Sequence, residues 1–561
     1  MQKTWNILKI DTKKQQSFSK DLGISPILAQ ILLNRGIQTK DQARRYLYDD
    51  ISKCFDPFLF KGMRKAIKRT QKAIAAKEKI FIYGDYDVDG LSSTALLYFV
   101  LRDLGADVEC YIPHRVEEGY SLNKQACVNL KERKVQLIIT VDCGISSHAE
   151  VKYLNSAGID IIITDHHRIH AGKIPSAYAV INSMQKGCSY PYKDLAGVGI
   201  AYKFAQALTT GVMDISNHLD LVALGTICDV APLIGENRIL VKHGLDVLSD
   251  TGKIGLKALM EVTGISKKKI TTQHVGFIIG PRINASGRMH SAHKALELFI
   301  STDYEHALRL AKDLDNYNKQ RQKEEAKTLK QATSMIQSEI NFKYHRSVVL
   351  HNDEWHPGVI GIVASRIAEK YYRPTILIST KDKVGKGSGR SIRNFHLFDT
   401  LSKCDHLLEG FGGHEKAAGI SILKNNLMDF KEFFNDMVRK TLTGEELVPV
   451  IDVDMEVSLS ALSQKLIEEL ELCAPFGRGN PRPVFASRDL KAKDRPKTLR
   501  GNSFKIWLTD GKVTCEALGS KFTDIDITDI NSGFSVVYSP SINDWQGINT
   551  IQLKLKDLQF S

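Results

Sequence analysis

From Lys79 to Asp229 the chain alternates short aliphatic, β-branched runs with longer stretches whose apolar positions recur at helical spacing. KIFIY (79–83), DVECYI (107–112), QLIITV (136–141) and IDIIIT (159–164) read as buried strands. Leu91–Leu104 and Ser121–Lys134 read as helices between them, the pattern of a parallel sheet with crossover helices. Residues 1–70 predict a basic helical segment, with Thr39 placed to cap one helix. From about Leu296 to Ile340 Gly and Pro are almost absent, which predicts one long connecting helix. RSVVLH and PTILIST then predict strands around a helix from Gly358 to Tyr371, a second α/β unit reaching residue 450. Five further strand-like segments follow Pro483: VFASRDLK, SFKIWL, VTCEALG, FSVVYS and TIQLKLKDL.

Length and composition narrow the class. At 561 residues the chain is long enough for several domains of about 100–200 residues. A hydrophobic content of 43% beside 25% charged residues fits a globular protein. The excess of 77 basic over 64 acidic residues gives +13, which favours a polyanionic partner. MQKTWNILKIDTKKQQ lacks the apolar core of a signal peptide, and no apolar run is long enough to span a bilayer, so the expectation is a cytoplasmic protein with no membrane association. Nine cysteines without a CxxC pair argue against a disulfide framework or a cysteine zinc site.

The candidate chemistry lies where predicted strands end. GDYDVDG (84–90) would present Asp85, Asp87 and Asp89 as one row if the backbone stays extended, with about 7 Å between successive members. Such close carboxylates repel unless cations lie among them. An EF-hand loop is excluded, because its twelfth position is Leu96 and a strand precedes it. Asp142 in TVDCG and Asp165, His166 and His167 in IIITDHH also follow strands, and Asp229 follows a helix-like run. A single strand-end Asp is ordinarily a cap or turn residue, but these clusters together fit the carboxyl edge of an open α/β sheet, where ligands bind.

In this order the motifs resemble the DHH phosphoesterase family, and more narrowly its RecJ-type exonuclease branch. GPRINASGR (280–288), GSGRS (387–391), GFGGHEKAAG (410–419) and APFGRGNPRPVF (474–485) extend the likeness from about residue 70 to the end. The resemblance implies an α/β architecture: a DHH parallel-sheet domain (71–290), a connecting helix (291–342), a DHHA1-like substrate-binding lobe (343–450) and an OB-fold-like barrel (451–561), after a helical segment (1–70). It also implies two ions, Mn²⁺ or Mg²⁺, which a mixed carboxylate and imidazole donor set suits. Carried onto this chain, one ion would take Asp85 and Asp87, the other Asp89, His166 and Asp229, with Asp142 as bridge. Tyr83 stands where pyrophosphatase relatives would carry a His ligand, so Asp85 becomes the substitute. His167, pointing away from His166 on extended backbone, would contact the phosphate or protonate the leaving oxygen.

Cations for the phosphate are offered by Arg115, by Arg282, Asn284 and Arg288 on a glycine-containing loop, and by Ser388 and Arg390 among small residues whose bare N–H groups can approach an anion. Gly412, Gly413 and His414 repeat that theme. Beside the barrel, Lys491, Lys493, Arg495, Lys497 and Arg500 precede Phe504, Trp507, Tyr538 and Trp545, a composition suited to holding single strands by charge and stacking. The resemblance thus implies a single-stranded-DNA exonuclease acting 5′ to 3′ in repair and recombination, with a helicase and a single-strand-binding protein as candidate partners. A nanoRNase or cyclic-dinucleotide phosphodiesterase is the nearest alternative, and the tail after APFGRGNP argues against it. A catalytically silent scaffold would have lost metal ligands, whereas every ligand position here holds a competent residue.

Overall fold

Lys79–Gly84 is the strand around which the first lobe is organised. The computed structural model describes residues 3–560 except 116–117, 120, 170–171, 500–502, 521–532 and 546–547. The five strands of the first sheet are all parallel, in the order Asp107–Tyr111, Lys79–Gly84, Leu137–Val141, Asp160–Thr164 and Ala179–Ile181. Alternate residues enter two cores: Ile80, Ile82 and Ile139 pack with helix Val88–Asp103, while Phe81, Tyr83 and Ile138 pack with Lys124–Glu132 and His148–Ser156. That burial on both faces explains the continuous aliphatic runs. The strand order reverses between Lys79–Gly84 and Leu137–Val141, and the crevice at this switch point receives the first two acidic motifs.

The long helix starts later than its composition predicts, running Tyr304–Glu339 with His293–Ile300 as a separate helix. Asp303 interrupts the two, its carboxylate accepting the His306 N–H at 2.5 Å as an N-cap. The second sheet has the order Gly410–Gly413, Ala417–Leu423, Val384–Arg390, Thr375–Ser379 and Val348–Asn352, with only the last pair parallel. GKGSGRS is therefore a strand whose N–H groups belong to a ladder, correcting the expectation that they are bare and open to an anion. Its glycines clear packing space: a Cβ on Gly387 would fall 2.5 Å from Ile420, and one on Gly389 2.9 Å from Leu397. GPRINASGR is also corrected from loop to helix, Gly280–Met289, opened by Pro281 in its first turn.

The two ends of the chain fold together. Thr4–Ile7 pairs in parallel with Val450–Val453, and Phe18, Leu28, Leu32 and Leu47 share a core with Leu466, Phe485, Ile506 and Val536. The carboxy-terminal sheet closes on itself because Phe485–Ala492 pairs with Ser503–Thr509 as well as with Phe534–Trp545. Tyr538 is fully buried there, its hydroxyl 3.0 Å from Ser487 Oγ, so it is a core residue and not a stacking platform. Trp507 is half-buried with the Lys505 ammonium 5.4 Å from its ring. Arg500 and the side chain of Trp545 lie outside the described residues.

A buried ion pair fixes the N-terminal segment to the first lobe. Lys203 Nζ lies 2.7 Å from Glu236 Oε1 and donates to Phe55 O at 2.8 Å, while Glu236 accepts from Phe55 N at 3.1 Å and from the Tyr190 hydroxyl at 2.5 Å. Glu236→Ala strands the Lys203 charge, so denaturant unfolding should show a loss of about 3–5 kcal/mol. Asp246→Ala, which removes only the exposed partner of Lys269, should cost no more than about 1 kcal/mol in the same assay.

Candidate metal centre

The GDYDVDG segment turns as soon as its strand ends. Asp85 follows Gly84, and Asp87 caps helix Val88–Asp103 by accepting the N–H groups of Asp89 at 2.9 Å and Gly90 at 3.1 Å. Asp89 sits in the first helical turn, so the expected extended row of carboxylates does not form; capping wins over continuation of the strand. Gly90 permits this turn, because a Cβ there would lie 2.5 Å from Asp85 O. Asp142 adopts φ +59 at the end of Leu137–Val141, in the left-handed region that Asp tolerates better than most residues. Tyr83 is spent elsewhere, donating to Ser121 O at 3.0 Å and stacking on Tyr111.

At the DHH triplet the three side chains divide their work. Asp165 is fully buried and accepts from Ile145 N at 2.9 Å and His167 N at 3.0 Å, with His167 Nδ1 2.7 Å from its Oδ1. The backbone bends at His167, so its ring meets His166 edge to face at 4.5 Å, correcting the expectation that the two point apart. His166 Nε2 lies 3.1 Å from Asp142 Oδ1. Asp229 joins from the end of helix Leu219–Cys228. Donor atoms consequently gather within 4.8 Å in overlapping trios: Asp85, Asp87 and Asp142; Asp142, His166 and His167; and Asp89, His166 and Asp229. Asp142 and His166 link the outer trios.

Burial sets the electrostatics. Burial first, then the Asp87 charge, pushes Asp85 well above the ordinary carboxylate range, and burial with Asp89 and Asp87 does the same to Asp142. Asp89 is raised to about 7 by burial and by Asp229, even though it accepts Gly197 N and Val198 N at 2.8 Å each. Asp229 is raised by burial and by Asp87. Burial opposes the charged forms of both histidines, but the surrounding carboxylates reverse this, lifting His166 above its usual value and His167 to about 9. Asp85 Oδ1 is buried with no hydrogen-bond partner among the described residues. A chain that buries so many mutually repelling acceptors fits hard divalent cations of the Mn²⁺ or Mg²⁺ kind.

Guanidinium groups face this centre from both lobes. Arg288 donates to Gly358 O at 3.1 Å; burial, then Arg115, Arg390 and Arg321, lowers it to about 10. Arg115 lies over the Tyr86 ring at 4.9 Å. Arg390 donates to Ser365 Oγ at 3.1 Å and Ser388 Oγ at 3.0 Å, and burial followed by Arg115 lowers it too. Such converging cations are stabilised by an anion between them. Arg282 turns away, donating to Asp315 at 2.9 Å and Ile278 O at 2.7 Å. Asn284 lines a cavity beside Arg288. Gly412 and Gly413 pair with Gly419 and Ala418, which pair in turn with Ser388 and Gly389; His414 is exposed at the hairpin end of those strands.

Residues 79–226 match the DHH family N-terminal domain, 339–440 the DHHA1 domain and 453–557 the RecJ OB domain. The single-stranded-DNA-specific exonuclease RecJ of Bacillus subtilis (strain 168) is 37% identical over 570 residues, covering 99% of this chain and 71% of that protein. The chain belongs to the RecJ family. The RecJ crystal structure from Thermus thermophilus in complex with Mn²⁺ superposes with TM-score 0.85 at 30% identity, over 99% of this chain and 79% of that one. Its Mg²⁺ complex gives 0.80 at 29% identity, over 99% and 78%.

Some residues of the site had no role assigned to them from the sequence. Asp165 holds His167, and only the DHH spelling hints at it. Gly197 and Gly225 make room for the acids, since a Cβ on either would lie 2.6 Å from Asp142 Oδ1 or Asp89 Oδ1 respectively; nothing in a lone glycine signals that. Arg478, within the APFGRGNP segment, partly offsets the burial-driven rise of the Asp229 carboxyl.

The charge balance has a pH signature in EDTA. A carboxyl raised to about 7 in the fold binds more protons than the same group unfolded, so its contribution to stability is full below about pH 4 and is lost as pH rises through 7. Wild-type stability, relative to Asp89→Asn, should therefore fall between about pH 4 and pH 7 in thermal melts and then level off. A parallel pair of melting curves would remove Asp89 from the strained set.

Proposed function

We propose that this chain hydrolyses single-stranded DNA from the 5′ end, releasing nucleotides with the aid of two Mn²⁺ or Mg²⁺ ions. The observation that carries the reading is the run of overlapping donor trios joined by Asp142 and His166, with Arg115 and Arg288 of the same lobe and Arg390 of the second lobe gathered beside it. Asp85 and Asp87 would hold one ion, Asp89, His166 and Asp229 the other, with Asp142 shared. Bound there, the ions supply an activated water and neutralise charge on the phosphoryl oxygens.

The chain's own groups do the rest. Asp165 fixes the His167 ring beside the donor cluster, where its imidazole can donate a proton to a leaving oxygen. Arg288 and Arg115 orient the scissile phosphate, while Ser388 and Arg390, with Gly412, Gly413 and His414 along the same sheet, receive a terminal phosphate and so set the polarity. The barrel, with Lys491, Lys493, Arg495 and Lys497 exposed beside it, holds the strand. Among the described residues no helix is long and apolar enough to cross a membrane. The proposal extends to a role in DNA repair and recombination, alongside a helicase and a single-strand-binding protein, in the cytoplasm.

Asp142→Ala should abolish cleavage yet leave DNA binding largely intact, since binding draws on separate basic surfaces; more than a few per cent of residual rate contradicts the shared-ligand assignment. Arg390→Lys keeps charge and loses the planar fork, so activity on 5′-phosphorylated strands should drop about 10- to 100-fold, and far less on 5′-hydroxyl strands. Mn²⁺ affinity should not change. Equal loss on both substrates assigns Arg390 to the scissile phosphate, and degradation that begins at the 3′ end reverses the polarity.

A further inference from the structure

The segment before GPRINASGR is a π-helical turn, Val275–Ile279, inside an otherwise α-helical run. Val275 and Ile279 are buried, whereas Phe277 is 80% exposed, more than any other large hydrophobic among the described residues. Single π turns within helices are frequent at functional sites, where the extra residue re-aims a side chain. The residue that follows the turn is pressed against helix Leu219–Cys228: a Cβ on Gly280 would lie 2.5 Å from Cys228 Sγ, one residue before Asp229. Val230, one residue after Asp229, is also unusual. It adopts φ +58, a conformation β-branched residues avoid, and is 58% exposed.

Phe277 and Val230 line the same cavity, of about 800 Å³, which runs between the first lobe and the barrel. Its charged lining consists of Arg288, Arg321, Arg478, Arg482, Lys554 and Lys556, with no carboxylate among the described lining residues. An aromatic face amid cations suits an unpaired nucleobase with its phosphates, because every base offers a π-face while charge follows the backbone. A duplex, whose bases are already stacked on one another, offers no such face.

We propose that Phe277, in the cavity that Val230 also lines, is a stacking platform for one nucleobase of the strand entering the metal centre, and thereby a determinant of single-strand binding. The inference rests on the exonuclease reading and names a positioning residue for it. Phe277 touches the strand upstream of the chemistry; it supplies no proton and no metal ligand.

The test uses steady-state cleavage of 5′-phosphorylated single strands with Mn²⁺, comparing wild type, Phe277→Ala and Phe277→Trp, on intact strands and on strands with one abasic site moved stepwise from the 5′ end. Phe277→Ala should raise KM about 5- to 100-fold, the range that stacking of one base spans. Its kcat, Mn²⁺ titration and melting curve should stay as in wild type, and Phe277→Trp should restore KM. At one abasic position wild type should fall to the level of Phe277→Ala, which itself loses nothing further there. An unchanged KM in Phe277→Ala, or a loss that is the same at every abasic position, overturns the platform. If wild type cleaves no single strand at all, the exonuclease reading fails instead, and that is visible before any variant is compared.

Discussion

Mutual repulsion among buried carboxylates is the constraint around which this molecule is arranged. Asp85, Asp89 and Asp142 are only 4%, 1% and 2% exposed, and each is pushed above the carboxylate range chiefly by that burial. An arrangement of this kind is unfavourable unless positive charge occupies the space between the acids. The switch point of the parallel sheet brings the motifs together, the left-handed Asp142 aims one of them, and the glycines at 197 and 225 remove the atoms that would otherwise stand against them. Stability has been given up locally so that cations have a place to bind, a trade seen where ligand sites store strain.

The second lobe answers with the opposite charge. Arg288 lies on a helix of the first lobe but bonds to Gly358 of the second, and Arg390 approaches it from the glycine-rich strand. Burial, then neighbouring guanidinium groups, lowers the proton affinity of Arg288 and Arg390, just as burial and neighbouring acids raise that of the carboxyls, so two self-repelling sets lie close together here. A phosphodiester coordinated by cations relieves both at once. The long helix Tyr304–Glu339 and the docked APFGRGNP segment, whose Arg478 O accepts Leu233 N at 2.7 Å, hold the lobe and the barrel at the edge of this site.

Much of this was legible in the sequence because strand burial on both faces writes itself as continuous aliphatic runs, and because acids at strand ends are conspicuous. The donor residues were named for this reason, though not their geometry: the extended row through Asp85, Asp87 and Asp89 ignored the cap that Asp87 provides. Glycine was the main source of error. In GKGSGRS and GPRINASGR it signals close packing within a strand and a helix, where Ile420, Leu397, Cys228 and Tyr86 come near, and sequence cannot tell that from a turn. Tyr538 failed as a platform because burial of an aromatic is a tertiary matter, and Phe277 was missed for the converse reason.

Counting ions tests the central claim most directly. Calorimetric titration of the metal-free chain with Mn²⁺ at neutral pH should give two ions per chain with net release of protons, because raised carboxyl groups must surrender theirs to bind. Repeating it in buffers of different ionisation enthalpy measures that release. Two ions with protons released is the result expected here; no saturable binding, or binding without proton release, would contradict the view that buried acids are held apart for cations.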